Sequence, residues 1–255
     1  MATFFGEVLS VYSRAVEEDE EEVDENEEDA EIRRELEEKR EVHLHWSPEV
    51  SESLKSGNKL PCSDFILAVG HNAARFLSVY ALSSENWDAL GRAPKDNPAV
   101  LICQVTCYLA EDQLFQWTEK VFDCLQLRQL NVTVLSESSV SEFKTADYPS
   151  SSSAPFLRSL HSAAFSGKPV CKSLEQPNIV TGLQAAVLNH CEVHRIPSIV
   201  YQCYSDVIGP DSVTMETFKP TLTKLGKSIK LDPSPSADIL RKIVRTTNIQ
   251  SNLYI

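Results

Sequence analysis

Glycine is scarce and scattered in this chain: eight residues, at positions 6, 57, 70, 91, 167, 182, 209 and 226, no two of them within ten of each other. A dinucleotide fingerprint and a P-loop both need clustered glycines to bring backbone amides onto phosphate, so neither is present. A Gly-x-Ser-x-Gly nucleophile elbow is missing as well. No run of lysine and arginine stands out, which argues against a sequence-independent grip on nucleic-acid phosphates. Long apolar runs of about 18 residues are lacking, so no membrane-spanning segment is expected. Residues 1–16 carry Glu7 early and no basic n-region, and do not read as a signal peptide. The seven cysteines are odd in number, irregularly spaced and without a Cys-x-x-Cys pair. That is the pattern of buried thiols in a reducing compartment, and a cytoplasmic location is expected.

What is present suffices for a core: 255 residues, 42% hydrophobic and 24% charged. The formal net charge of -13 is not spread along the chain. Residues 1–41 hold 17 acidic and 5 basic side chains, which leaves 20 acidic against 19 basic in residues 42–255. Eleven of the 13 residues from 17 to 29 are acidic. Charge this dense repels itself and leaves nothing apolar to bury, so residues 1–41 are expected to form an acidic disordered tail, either a solvated spacer or a lure for a basic partner. Within it, residues 31–40 mix Glu with Arg and Lys at the spacing of a short exposed helix.

The remainder alternates strand-like and helix-like segments. Val42-His43-Leu44-His45-Trp46 alternates with period two and is expected to open the sheet. Phe65-Ile66-Leu67-Ala68-Val69 is a continuous apolar run stopping at Gly70, the form of a strand buried on both faces. Residues 72–80 follow with Ala73, Phe76, Leu77 and Tyr80 at helical spacing. A second buried strand is expected from Ala99 to Tyr108. Helical periodicity returns from Glu111, with Leu114, Trp117, Val121, Phe122 and Leu125 on one face. Residues 132–135 read as a third strand, and the serine run 150–153 as a surface loop. A helix over 181–194 ends before Pro197, which introduces a strand over 199–204, and further helices are expected at 213–225 and 237–244. Alternating strands and helices place the chain in the α/β class: a single domain over 42–247, with a largely parallel sheet flanked by helices, and a mobile C-terminal tail over 248–255.

Three places carry residues with chemical potential. His190 and His194, at i and i+4, share one helical face that zinc can use, but no further ligands stand at zinc-site spacing, so two ordinary histidines and no metal are expected. Gly70-His71-Asn72 lies between a buried strand and a helix, where α/β folds place ligands. Either a small hydrolase or nucleoside-processing enzyme uses this turn, or it is a plain strand-to-helix turn with Asn72 as the cap. The chain closes on Leu253-Tyr254-Ile255, in which an amphipathic phenol stands next to the last residue. Such a segment either enters a pocket on a partner or is a frayed end.

Several stretches resemble the proteasome assembly chaperone family: Met1-Ala2-Thr3-Phe4-Phe5-Gly6-Glu7-Val8, Cys62-Ser63-Asp64-Phe65-Ile66, Cys107-Tyr108-Leu109-Ala110-Glu111-Asp112-Gln113, Glu175-Gln176-Pro177-Asn178-Ile179-Val180, Tyr201-Gln202-Cys203-Tyr204-Ser205-Asp206-Val207 and Asn248-Ile249-Gln250-Ser251-Asn252. They span the whole chain; the segment from Trp87 to Pro98 departs from the family in being short. The resemblance implies an α/β fold similar to nucleoside phosphorylases without their catalytic site, no enzymatic activity and no cofactor. It also implies a heterodimer with a second related chaperone that binds proteasome α subunits, promotes assembly of the α ring of the 20S core and prevents off-pathway α-ring dimers. Leu253, Tyr254 and Ile255 match the family's hydrophobic–Tyr–X motif, which enters a pocket between α subunits. The resemblance adds the endoplasmic reticulum to the cytoplasmic location; no nucleic acid and no membrane insertion are expected.

Overall fold

The computed structural model describes residues 27–46, 51, 54, 57, 59–82, 100–145, 154–207, 209–226, 229, 231, 232 and 235. Residues 1–41 and 42–255 are two separate units. In the first, helix α1 (Glu27–Arg40) starts four residues before the expected exposed helix, inside the stretch read as disordered. Its composition of Glu, Arg, Leu and Ala favours helix locally. Ile32 and Leu36, one turn apart on it, are exposed.

In the second unit the described residues form one five-stranded sheet. The strands are β1 (Asp64–Val69), β2 (Val100–Val105), β3 (Asn131–Ser139), β4 (Phe156–His161) and β5 (Ser198–Ser205), in the order β2-β1-β3-β5-β4. The first four neighbours run parallel, and β4 lies antiparallel to β5, with Phe156 opposite Tyr204 and His161 opposite Ile199. Helices α2 (His71–Tyr80), α3 (Leu114–Asp123), α4 (Gly182–Val193), α5 (Ser212–Thr217) and α6 (Leu222–Leu225) are described in the same unit. This is the α/β, mostly parallel architecture that the alternation of segments implies.

The apolar run of β1 explains the layering. Its side chains alternate in direction: Ile66 and Ala68 join α2, Met215 and Phe218 in one core, whereas Phe65 and Leu67 join Trp117, Val121 and Phe122 of α3 and Leu183, Val187 and Cys191 of α4 in another. β5 is buried at all eight positions. Both faces of the sheet are therefore covered by helices. At the centre of the first core Phe76 is fully buried, its ring centroid 4.9 Å from that of Tyr80 and 5.6 Å from that of Phe218.

Three expected segments need correction. Residues 42–46 join no strand. The alternation is real, with Val42, Leu44 and Trp46 half-buried against the second core, but the cover is α3: the Val42 N–H donates to Gln116 Oε1 at 2.7 Å and Lys120 Nζ to the Val42 carbonyl at 2.7 Å. β2 stops at Val105 and lies next to β1 at the end of the strand order, and Tyr108 is 85% exposed. The helix expected over 213–225 is broken into α5, a 3₁₀ turn (Lys219–Thr221) and α6, because Pro220 lacks the N–H that would continue it. β4 was not foreseen. The segments expected at 237–244, 150–153 and 248–255, and the short segment 87–98, lie outside the described residues.

Truncating Phe76 leaves a cavity that three packed elements cannot all close. Phe76→Ala is expected to lower the unfolding free energy by about 3–5 kcal/mol, read from the urea midpoint at an unchanged m-value.

Candidate functional site

Parallel strands bring their carboxyl ends to one side. β2 and β3 flank β1 on opposite sides, so the chain reverses its winding there, and α/β sheets place ligands outside such a switch point. A crevice of about 270 Å³ opens at this place, lined by His71 and Asn72 after β1, Glu137, Ser138 and Ser139 of β3, Ser205 at the end of β5, and Asp206, Val207 and Gly209 after it. The turn at residues 70–72 is thus where the enzyme reading requires it.

Its polar groups, however, hold the scaffold. Gly70 has φ 100°, and a Cβ there would collide with the Glu137 carboxylate, lying 2.7 Å from its Cγ. The missing side chain lets that carboxylate sit over the start of α2, where the Asn72 N–H donates to both oxygens at 3.3 Å. Asn72 is therefore not the cap; the cap is a carboxylate 65 residues away, placed where the helix dipole favours negative charge. The buried Asn72 amide donates to the Gly209 carbonyl at 3.0 Å and accepts the Asp211 N–H at 2.7 Å. Asp211 in turn caps α5, its Oδ2 accepting the Thr214 N–H at 2.8 Å. Beneath lies a chain from Ser136 Oγ to Gln202 Oε1 at 2.6 Å and from Gln202 Nε2 to Ser138 Oγ at 2.8 Å.

Hydrolysis through a serine needs a base on its hydroxyl. Ser205 pairs with Thr214, Ser138 accepts from Gln202, and Ser139 pairs with Ser141; none of these partners is an imidazole. Four of the cysteines offer no better nucleophile. Burial pushes the thiols of Cys62 and Cys103 up to about 11 and those of Cys191 and Cys203 up to about 12, so they stay protonated at neutral pH. Cys107 differs from the expectation of buried thiols, being exposed after β2.

The His190 and His194 rings are in tilted contact, with centroids 4.2 Å apart, and His190 also lies 4.5 Å from the Phe122 ring. Among the described residues no group of three His, Cys, Asp or Glu is arranged to hold a metal ion. His190 Nε2 is buried without a hydrogen-bond partner, and desolvation, followed by the charge of His194, lowers the His190 pKa against the opposing pull of Glu119 and Asp123 on α3.

Two further clefts share this end of the sheet. One, of about 270 Å³, lies between Val69, Val105, Tyr108 and Glu111 on one side and Thr181 and Gly182 at the start of α4 on the other. The second, of about 290 Å³, is lined by Glu142, Lys144, Pro177, Asn178, Ile179 and Thr181. Asn178 fixes it: its Oδ1 accepts the Lys144 N–H at 2.6 Å, and its Nδ2 donates to the Lys144 and Glu175 carbonyls at 2.8 and 2.9 Å. Arg158 anchors the same loop, pairing with Glu175 at 3.0 Å and lying over the rings of Phe156 and Phe143 at 4.7 and 5.2 Å.

Residues of the stretches Cys107 to Gln113, Glu175 to Val180 and Tyr201 to Val207 thus line the three clefts at this end of the sheet. Across its whole length the chain is 48% identical to Proteasome assembly chaperone 1 of Danio rerio, covering 100% of both chains, and 40% identical to that of Homo sapiens, covering 99% of both. The family model described as Proteasome assembly chaperone 4 matches residues 1–94 and 92–255. The chain belongs to the proteasome assembly chaperone family.

A crystal structure of Pyrococcus furiosus PbaA, an archaeal homologue of proteasome-assembly chaperone, shares the fold with a TM-score of 0.51 at 11% identity, over 75% of this chain and 92% of that one. A second, monoclinic form of PbaA gives 0.50 at 13% identity, over 76% and 90%. In this member of the proteasome assembly chaperone family the tail residues Leu253, Tyr254 and Ile255 lie outside the described residues. Reasoning from sequence missed Glu137, Asn178 and Arg158, each of which has a partner well separated along the chain: Asn72, Lys144 and Glu175 respectively. Asp211 carried a local signal, an Asp three residues before Thr214 at a helix start.

Two predictions test these contacts. Gly70→Ala and Glu137→Ala are each expected to destabilise by about 1–3 kcal/mol, and the double variant by clearly less than the sum, because deleting the carboxylate removes the collision. Strict additivity in denaturant titrations would show that the two do not touch. For His190 the folded state resists a proton that the unfolded chain accepts. Stability is then full above the unfolded histidine pKa and declines as pH falls through it toward the lower folded value. His190→Phe should flatten this slope between neutral and mildly acidic pH; an unaltered slope assigns it to other groups.

Proposed function

We propose that this chain is an assembly chaperone subunit that pairs with a second, related chaperone and binds proteasome α subunits, promoting the α ring of the 20S core and preventing off-pathway ring dimers. The observation that carries this is identity of 40–48% over essentially the full length to proteins named Proteasome assembly chaperone 1. The absence of a nucleophile–base pair among the hydrogen bonds of the switch-point crevice supports a binding role over a chemical one. In this reading residues 42–247 are the chaperone body, residues 1–41 a solvated acidic appendage, and the complex works in the cytoplasm and at the endoplasmic reticulum. Among the described residues no helix is long and apolar enough to cross a membrane.

Leu253, Tyr254 and Ile255 are the residues assigned to the pocket between α subunits. Three residues alone bind weakly, because ordering them offsets much of what they gain. Tethered to a body with contacts of its own, they insert at high effective concentration.

The test is a native pull-down with the intact chain and with a chain lacking residues 253–255. The intact chain should retain the second chaperone and α subunits, and the shortened chain only the chaperone. Tyr254→Ala should weaken α-subunit binding by about 1–3 kcal/mol, as for a buried aromatic anchor; unchanged affinity takes the tail out of the mechanism.

A further inference from the structure

The carboxyl end of the sheet holds three apolar side chains out to solvent. Tyr108 is 85% exposed, Ile179 74% and Val207 48%. Each lines one of the three clefts; two of these share Thr181, and the switch-point crevice comes near the others along the chain, at Val69 and His71 beside Gly70 and at Ser139, which ends β3, and Glu142 beyond it. The loops that carry Ile179 and Val207 are braced. The Asn178 side chain ties the backbone beside Ile179 to Lys144 and Glu175, and the Val207 N–H donates to Ser205 Oγ at 3.1 Å. A soluble fold gains nothing from fixing apolar groups in water, whereas a binding surface fixed in advance loses less entropy on association.

The charge around them has one dominant sign. The clefts are lined by the carboxylates of Glu111, Glu137, Glu142 and Asp206 against the single ammonium of Lys144. Glu137 is engaged at the start of α2, while Glu111, Glu142 and Asp206 are exposed. Each exposed apolar residue thus has a carboxylate in the same cleft. A partner that fits presents an apolar centre ringed by lysine or arginine, the arrangement of interfaces with a dry core and a polar rim.

We infer that this end of the sheet is the surface by which the body docks on a protein partner with an apolar, basic-rimmed face. Resting on the assembly reading above, that partner is the proteasome α subunit, and the surface supplies the body contact that a three-residue tail requires.

Two variants separate centre from rim: Tyr108→Ala/Ile179→Ala and Glu111→Gln/Glu142→Gln/Asp206→Asn. Each is prepared as full-length chain co-expressed with the second chaperone, so that retention of that partner reports folding, and is titrated with purified α subunits over a salt series. The centre variant should lose about tenfold or more in affinity. The rim variant should associate more slowly at low salt and lose most of the salt dependence. Wild-type affinity and salt response in both variants would overturn the surface while leaving the assembly reading in place. A centre variant that drops the second chaperone and still binds α subunits overturns the choice of partner. If the wild-type complex binds no α subunits, the assembly reading falls and the surface assignment with it.

Discussion

A parallel strand buried on both faces has only one kind of neighbourhood, a layer of helices above and another below, and the central strands impose it here. β1 sends Ile66 and Ala68 to one core and Phe65 and Leu67 to the other, and β5 is buried along its whole length. The helices cover most of both faces, and a cavity of about 220 Å³ remains beside β1 and β2, lined by Trp46, Phe65, Leu101 and Trp117. The edge strand β4 is engaged: the Ser159 N–H donates to the Lys172 carbonyl and the Leu174 N–H to the Ser159 carbonyl. The carboxyl ends of the parallel strands are where such sheets place ligands, and three clefts open there.

At that end the polar groups that an enzyme would aim at a substrate are turned inward. The start of α2, with its free amides and positive dipole end, is where a phosphate would bind in a related architecture. Here the chain supplies its own anion, Glu137, and Gly70 makes room for it. Asn72, buried and doubly bonded, locks the loop that follows β5, and Asp211 in that loop caps the next helix. The crevice is consequently rigid, with few polar donors left to receive a ligand.

How far the fold was legible in the sequence depended on the range of the interactions involved. The β1 run and the faces of α2, α3 and α4 were readable because they follow from residues within one element. The alternation of residues 42–46 was readable too, but period two reveals only that one side is covered, not by what. The cover is a helix that bonds the backbone through Gln116 and Lys120. β4 hid behind a polar composition, Phe-Leu-Arg-Ser-Leu-His, since as an edge strand it needs burial at only two positions. The caps and braces of the site were invisible for a different reason. Glu137 reaches back 65 residues to Asn72, and Asn178 reaches 34 to Lys144, distances over which spacing in the sequence carries no signal.

The same distinction bears on what kind of protein this is. Catalysis rewards polar groups left unpaired until a substrate arrives, which costs stability, whereas binding a folded partner rewards apolar groups held still. Around the carboxyl rim the hydrogen bonds work in the second sense. Asn178 uses three bonds to present Ile179, an isoleucine with no core to fill, and Ser205 steadies Val207 in the same way. Rigid loops with apolar residues facing water are a recurring cost to solubility that only an interface offsets. The near neutrality of residues 42–255 as a whole makes the acidic rim a local arrangement rather than a reflection of composition. Shape, apolarity and charge thus coincide at one end of the sheet, and that coincidence ties the fold to an assembly function more closely than the fold alone does.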